Sequence, residues 1–551
     1  MHNTLKNTLL AAVSTLTLAA CAVGPDFFTP AAPDVKSYTD TELPMQTATA
    51  PGVDNPVQNF VSGKDVAADW WKGYGSEPLN QLVDQAIRHN PDLQAASASL
   101  RQAQENYYAA RGGLLPSVDA AFSPTREKFN PSAFGQTGAP SSIFTLYNAS
   151  VNVSYTLDLF GGTRRGIEAA KAQADTQRYQ LTAAYLSLTG NVVTAAIQEA
   201  SLRQQIAETQ NIIDIESKQL DVLTKQFEFG ATPKSTVLAQ QTELAQMQTT
   251  LPPLQKLLTQ THNQLAVLAG RFPGDGTTPG FDLSTLTLPK DLPLSLPSKL
   301  VEQRPDIKAA EEQLHAANAE IGVATANMLP QISLTGTIGS ETTSFSKLFT
   351  SGAEVWGIGG NVLQPLFHGG ELFHDRKAAI AAHDKAAAQY QSVVLQAFKN
   401  VADTLRALQY DAEGLGAQMN AERAAHTSLD LAQTQFQVGA ISYPQLLDAQ
   451  RAFSQARIGL VQANAARFAD TAALYQSLGG GWWNTDIKEA MKPEPAKPAD
   501  PTQPAPVATP AAVPAPEGVA APVPTPAVTT TPAAPAKPEE TQTPSKNEKK
   551  S

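Results

Sequence analysis

Cys21 is the only thiol in this 551-residue chain, and it follows the apolar runs Leu9–Val13 and Leu16–Ala20, which Lys6 precedes. Such a run reads as a secretory leader, too short to span a membrane as a stop-transfer helix, so the thiol stands where a newly cut N-terminus is modified. With no second cysteine, no internal disulfide can form. His368, His374 and His383 share neither a metal-ligand spacing nor a carboxylate arrangement and read as solvated helix histidines. Gly161-Gly162 and Gly369-Gly370 lack a following Lys-Ser or Lys-Thr, so each marks a strand-to-helix junction rather than a phosphate loop. These residues point to no catalysis, cofactor or metal, and the chain is not expected to be an enzyme.

The tetrapeptide Leu18-Ala19-Ala20-Cys21 resembles the lipobox of bacterial lipoproteins. That resemblance implies removal of residues 1–20 and lipidation of Cys21, with several acyl chains giving the stable anchoring that one chain lacks. Ala22 is not acidic, which sends such a protein on to the outer membrane. The net charge of -11 lies outside the Pro-Ala-rich tail, whose acids and bases balance. An acidic body argues against nucleic acid as partner, because phosphate binding needs clustered Lys and Arg. It suits a water-filled conduit that favours cations, plain solubility being the other reading.

Two halves of the chain repeat one another. Pro305-Asp306 stands 214 residues after Pro91-Asp92, and Leu329-Pro330 keeps the same distance from Leu115-Pro116. Farther on, Leu220-Asp221, Phe227 and Gly230-Ala231 recur 209 residues later as Leu429-Asp430, Phe436 and Gly439-Ala440. A unit this long exceeds any short solenoid repeat and implies duplication. The expected division is a leader (1–20), an N-terminal periplasmic segment (21–75), a first repeat (76–280), a second repeat (298–483) and a tail (492–551).

Each repeat reads as helix, strands, very long helix, helix. Tyr147 to Leu159 alternates apolar and polar residues at period two, as a strand with one wet face does. Val118-Ala120-Phe122, Ile332-Leu334-Ile338 and, more weakly, Trp356 to Leu363 complete four strands per chain. Their length and alternation fit an outer-membrane barrel strand, an ordinary soluble sheet edge being the alternative. Four tilted strands cannot close alone, and a membrane tolerates no open sheet edge, so a membrane reading makes copies share one barrel. Thr163 to Phe229 and Glu371 to Val438 lack proline, and Ile206, Ile213, Leu220 and Phe227 repeat every seven residues as a coiled-coil seam. The first would reach about 100 Å, and the helices Asp92–Leu114 and Ser235–Ala269 together about 87 Å, so the pair stacked end to end runs alongside it.

With these pieces placed, the chain resembles the TolC-like outer-membrane factors, specifically the lipoprotein branch paired with resistance-nodulation-division pumps. The words that carry the resemblance are Cys21-Ala22-Val23-Gly24-Pro25-Asp26-Phe27, Trp70-Trp71, Asn90-Pro91-Asp92-Leu93, Arg304-Pro305-Asp306-Ile307, Val438 through Arg451, and Leu474 through Trp482. It implies an α+β membrane protein: a homotrimer with a shared twelve-stranded β-barrel, four strands per chain, on a long periplasmic α-helical barrel. It also implies the work of such a duct, passing drugs or other small molecules out through a periplasmic adaptor and inner-membrane pump. A type I protein-secretion conduit is the alternative, and lipidation with the lipoprotein-branch words favours efflux.

The same resemblance names the sites. Adaptor docking falls at the hairpin tips, Phe229-Gly230-Ala231-Thr232 and Val438-Gly439-Ala440-Ile441-Ser442, where glycine as a bare helix C-cap is the plain alternative. Asp448 is placed at the channel constriction, an acidic ring in three copies, with Gln445 one turn earlier where some relatives carry a second acid. A surface pairing of Asp448 with Arg451 is the alternative. The tail cannot build a core, and its Lys546, Lys549 and Lys550 offer contact with an anionic cell-wall polymer, an inert spacer being the plainer reading.

Overall fold

The computed structural model describes residues 22–48, 57–131 and 140–492. The chain divides into Met1–Pro493 and Glu494–Ser551. Cys21, the leader and the tail lie outside the described residues.

The first half of the larger unit lays down β1 (Asn59–Ser62), α1 (Glu77–His89), α2 (Pro91–Gly112), β2 (Ser117–Phe129), β3 (Ser142–Leu157), α3 (Gly162–Glu228) and α4 (Lys234–Leu268). The second half gives β4 (Asp291–Leu294), α5 (Pro297–Gln303), α6 (Pro305–Ala326), β5 (Gln331–Thr342), β6 (Glu354–Leu363), α7 (Glu371–Gln437) and α8 (Tyr443–Ser477). Counterpart helices have equal lengths: 22 residues in α2 and α6, 67 in α3 and α7, and 35 in α4 and α8.

Local chemistry starts and bends these helices. Asp158 accepts from the backbone N–H of Thr163 and Arg164 at 2.9 and 3.0 Å, satisfying donors that the first turn of α3 leaves free. Asn90 caps α2 through the Leu93 N–H. Pro252 and Pro253 sit inside α4. Their missing N–H groups release the carbonyls of Gln248 and Thr249, and both residues are exposed, so water satisfies what the helix cannot.

The seam of α3 has two rows. Leu202, Thr209, Glu216 and Leu223 alternate with the apolar row at spacings of four and three, and all four are buried. Of the row read from sequence, Ile213 is buried while Phe227 is 40% exposed. The deeper row was hidden because Thr209 and Glu216 interrupt it with polar atoms.

The four long strands form one antiparallel sheet in the order β2-β3-β5-β6. Register gives the sheet two unlike faces. Ala120, Val151, Ile338 and Trp356 form one rung, and the adjacent rung is Asp119, Asn152, Thr337 and Gly357. The first carries exposed apolar groups, Trp356 being 77% exposed, while on the second Thr337 donates to Asn152 at 2.9 Å. Both outer strands are exposed along their whole length.

The helices repeat the order of the strands they carry. α2 packs on α3, α3 on α6, and α6 on α7; beyond the ends of α2 and α6, α4 packs on α3, α3 on α8, and α8 on α7. One lateral edge is therefore β2, α2 and α4, and the opposite edge is β6 and α7.

A strap from Ala22 to Thr47 binds the wall. The Val23 N–H donates to Phe160 O at 2.9 Å, and Arg165 donates to Asp26 at 2.7 Å and Glu168 at 2.8 Å. Phe27 stacks on His315, ring centroids 4.3 Å apart. A Cβ on Gly24 would come within 2.5 Å of Gly322 Cα, so only glycine lets the strap lie this flat on α6. Lower down, Arg406 donates to Thr41 O at 2.9 Å. Buried Arg467 of α8 donates to Gln58 and Thr47, tying in the region where β1 pairs in parallel with β4. The main core lies beside that region, with Trp70 stacked on Tyr475 at 5.2 Å and Tyr74 donating to Phe468 O.

Candidate functional site at the hairpin tips

The long helices each end in the same backbone turn. Ala231 N–H bonds Gln226 O and Gly230 N–H bonds Phe227 O; Ala440 to Gln435 and Gly439 to Phe436 repeat the pair. Both are Schellman closures, which need a left-handed residue, and Gly230 and Gly439 supply it at φ 73° and 74°. The closures leave Phe229 at 87% and Val438 at 76% exposure, two apolar side chains at matching positions facing out of the tips.

The return helices begin differently. Pro233 opens α4, whereas Ser442 and Gln445 form a reciprocal capping box at α8, Gln445 Oε1 accepting from the Ser442 N–H at 2.8 Å. Just above the tips, Leu223, Ala432, Tyr443, Leu446 and Leu447 make a small apolar cluster that joins the hairpins.

A polar layer lies above that cluster. Tyr443 donates its hydroxyl to Gln240, whose amide donates to Glu216 O at 3.1 Å. Arg451 donates to Glu243 through Nε at 2.7 Å. Glu216 is buried with Oε2 unpartnered. Burial first, then the nearby Glu243, pushes its carboxyl up to about 7, against the pull of Arg451. Sequence reading missed Glu216 and Glu243; the signal available for Glu216 was its place midway between Thr209 and Leu223 at seam spacing, and none marked Glu243.

Asp448 stands clear of this layer, its side chain 76% exposed and 3.9 Å from Arg451. That pairing is loose, since the guanidinium is committed to Glu243. The two residues expected at the constriction thus differ: Asp448 is exposed and only loosely paired, while the Gln445 carbonyl is engaged in the helix cap. His368, His374 and His383 join no metal-binding group among the described residues. Neither does any helix among them have the length and apolarity to cross a membrane.

Known proteins are similar to this chain over most of its length. Probable efflux pump outer membrane protein TtgC of Pseudomonas putida is 29% identical over 484 residues, covering 87% of this chain and 96% of that protein. The cation efflux system protein CusC of Escherichia coli is 27% identical over 473 residues, covering 85% and 97%. Among solved structures, the outer-membrane channel OprN superposes with a TM-score of 0.74 at 27% identity, over 84% of this chain and all of that one. The open state of the MtrE outer membrane channel of Neisseria gonorrhoeae gives 0.70 at 26%, over 84% and 98%. The family description "Outer membrane efflux protein" matches residues 82–271 and 296–480, one stretch in each half. The chain belongs to the outer membrane efflux protein family.

Proposed function

We propose that three copies of this chain close into one tube, a twelve-stranded barrel in the outer membrane above a periplasmic helical tunnel, and that this tube is the exit duct of a tripartite efflux pump. The observation that carries the reading is the shared order of strands and helices. Because β2, α2 and α4 form one edge and β6 and α7 the other, a single closure satisfies sheet and helices together. β2 and β6 run antiparallel, so joining them continues the antiparallel ladder. The sheet's apolar rungs then meet lipid and its polar rungs line water.

Within this reading, residues 76–280 and 298–483 are two copies of one unit, preceded by a periplasmic segment at 21–75. Cys21 carries the lipid, and Ala22 against Gly161 holds the start of the strap at the strand-to-helix junction. The tips, with Phe229 and Val438 foremost, dock the periplasmic adaptor that links the duct to a resistance-nodulation-division pump, and Asp448 forms an acidic ring at the constriction. The tail is a spacer beyond Met491.

Deleting the gene is expected to raise cellular retention of an efflux dye, and the plasmid-borne gene to reverse it. Unchanged retention in a strain lacking other ducts would remove the efflux reading.

A further inference from the structure

An apolar cleft of about 400 Å³ opens along α7, lined by Pro30 and Pro33 of the strap, Leu314 of α6, and Tyr390, Val394 and Leu395 of α7 itself. Tyr390 and Val394 form its buried floor, while Leu395 on its rim is 72% exposed. The exposed leucine extends the apolar lining of the hollow onto the surface, so a partner seated there would cover both together. The cleft lies where the strap and α6 meet the edge helix α7, beyond which no further helix packs among the described residues.

The opposite edge carries matching groups. Val267, in the last turn of α4, is 57% exposed, and Phe272, just beyond it, is 82% exposed. Their height follows from helix geometry. Leu395 lies about 36 Å along α7 from its strand-side end at 1.5 Å per residue. Pro91 lies about 32 Å along α2 from the strand-side end of that edge. Asn90 donates to Leu268 O at 3.0 Å, so the end of α4 sits at the foot of α2. Cleft and projecting groups are thus at one level on complementary edges.

We infer that the cleft is a socket for a second copy of this chain, filled by Val267 and Phe272 of the adjoining subunit. The strap supplies part of the socket wall, which makes the segment next to Cys21 a component of the contact between copies. The inference rests on the ring proposed above and adds its contact point.

The test uses the full chain in native membranes, with L395C and F272C combined, a short bis-maleimide, and each single variant as control. Covalent dimers and trimers from the double variant, absent from the singles, are expected. A second pair across the strand edges, V118C with I358C, separates the two claims. Cross-linking at the strands but not at the cleft overturns the socket while the ring stands. No cross-linking at either pair, with no trimer by native mass spectrometry, removes the ring itself. If L395C alone becomes more reactive when Cys21 is replaced by serine, and the double variant yields no ladder, an acyl chain fills the cleft and the socket is wrong.

Discussion

Arg451 on α8 and Glu243 on α4 form an ion pair that joins the second hairpin to the first just above the tips, with Glu243 almost wholly buried and Arg451 half exposed. The neighbouring Glu216 adds a second buried acid that shares this one cation. Removing the guanidinium strands both acids. Arg451→Ala is expected to weaken the tip by about 1–2 kcal/mol, less than a fully buried pair because water reaches the guanidinium. Hydrogen exchange at Leu446 and Leu447 reads this directly, and Glu243→Gln in the same chain is expected to restore much of the protection. Unaltered exchange would mean that apolar packing alone holds the tips together.

The carboxyl of Glu216 sets a pH dependence with a definite sign. Its folded-state pKa is raised to about 7, so the folded tip holds the proton more tightly than the unfolded chain. The resulting stability is complete below the ordinary carboxylate range and is lost as pH rises through about 7. Asp470 titrates in the same window, raised to about 7 by burial and by Asp411, so a whole-protein melt mixes the two. Protection factors at the tip, taken relative to the intrinsic base-catalysed exchange rate, are expected to fall from pH 5 to pH 8 in the wild type and to stay level in Glu216→Gln. A wild-type profile already flat would place Glu216 in water.

Asp448 is exposed and only loosely paired, as a ring-forming residue must be. In planar bilayers Asp448→Ala is expected to raise conductance and lower cation preference, because three like charges in a narrow mouth attract cations and repel one another. Conductance and selectivity equal to wild type would leave Asp448 an ordinary surface carboxylate.

At the second tip, Ala440 follows the left-handed Gly439 and its N–H closes the helix end. Ala440→Trp keeps that N–H and adds bulk beside Val438. The oligomer is expected to persist in native mass spectra while dye export falls to the level of the deletion strain. Normal export would move adaptor docking elsewhere.

Lipidation of Cys21 is checked on the protein itself. Intact mass spectrometry is expected to show the acylated mature N-terminus at Cys21, and Cys21→Ser, exported by another leader, to lack it while still assembling. An unacylated wild-type Cys21 ends the lipoprotein reading.

Much of this was legible because periodicity survives in the sequence wherever one face is apolar. The strand expected from Tyr147 to Leu159 runs from Ser142 to Leu157, starting five residues earlier where the alternation is weaker, while both long helices end within two residues of the expected positions. The parallel pairing of β1 with β4 was not legible, since four residues such as Asn59–Ser62 carry no period and their partner lies far along the chain. Trp70-Trp71 stood out only as words of a resemblance, and the structure gives them a packing role. At the tips, Gly230 and Gly439 announced the turns. The ion pair of Glu243 with Arg451 depends on how two hairpins meet, which no local pattern records. Gln445 forms a capping box with Ser442 three residues before it, a pairing that the Ser-x-x-Gln spacing itself allows.

The two lateral edges are unlike surfaces, and this has a genetic consequence. An edge of β2, α2 and α4 cannot mate with itself, so in the proposed ring of three assembly would be head to tail and every copy would touch both others. One copy faulty at a single edge therefore spoils one joint, and one open joint is enough to leave the ring unclosed. If wild-type and edge-defective chains were made in equal amounts and mixed at random, about one ring in eight would be wholly wild type. A defective allele at either edge would act dominantly, whereas an allele that failed to fold would leave the rings made by its sound partner untouched.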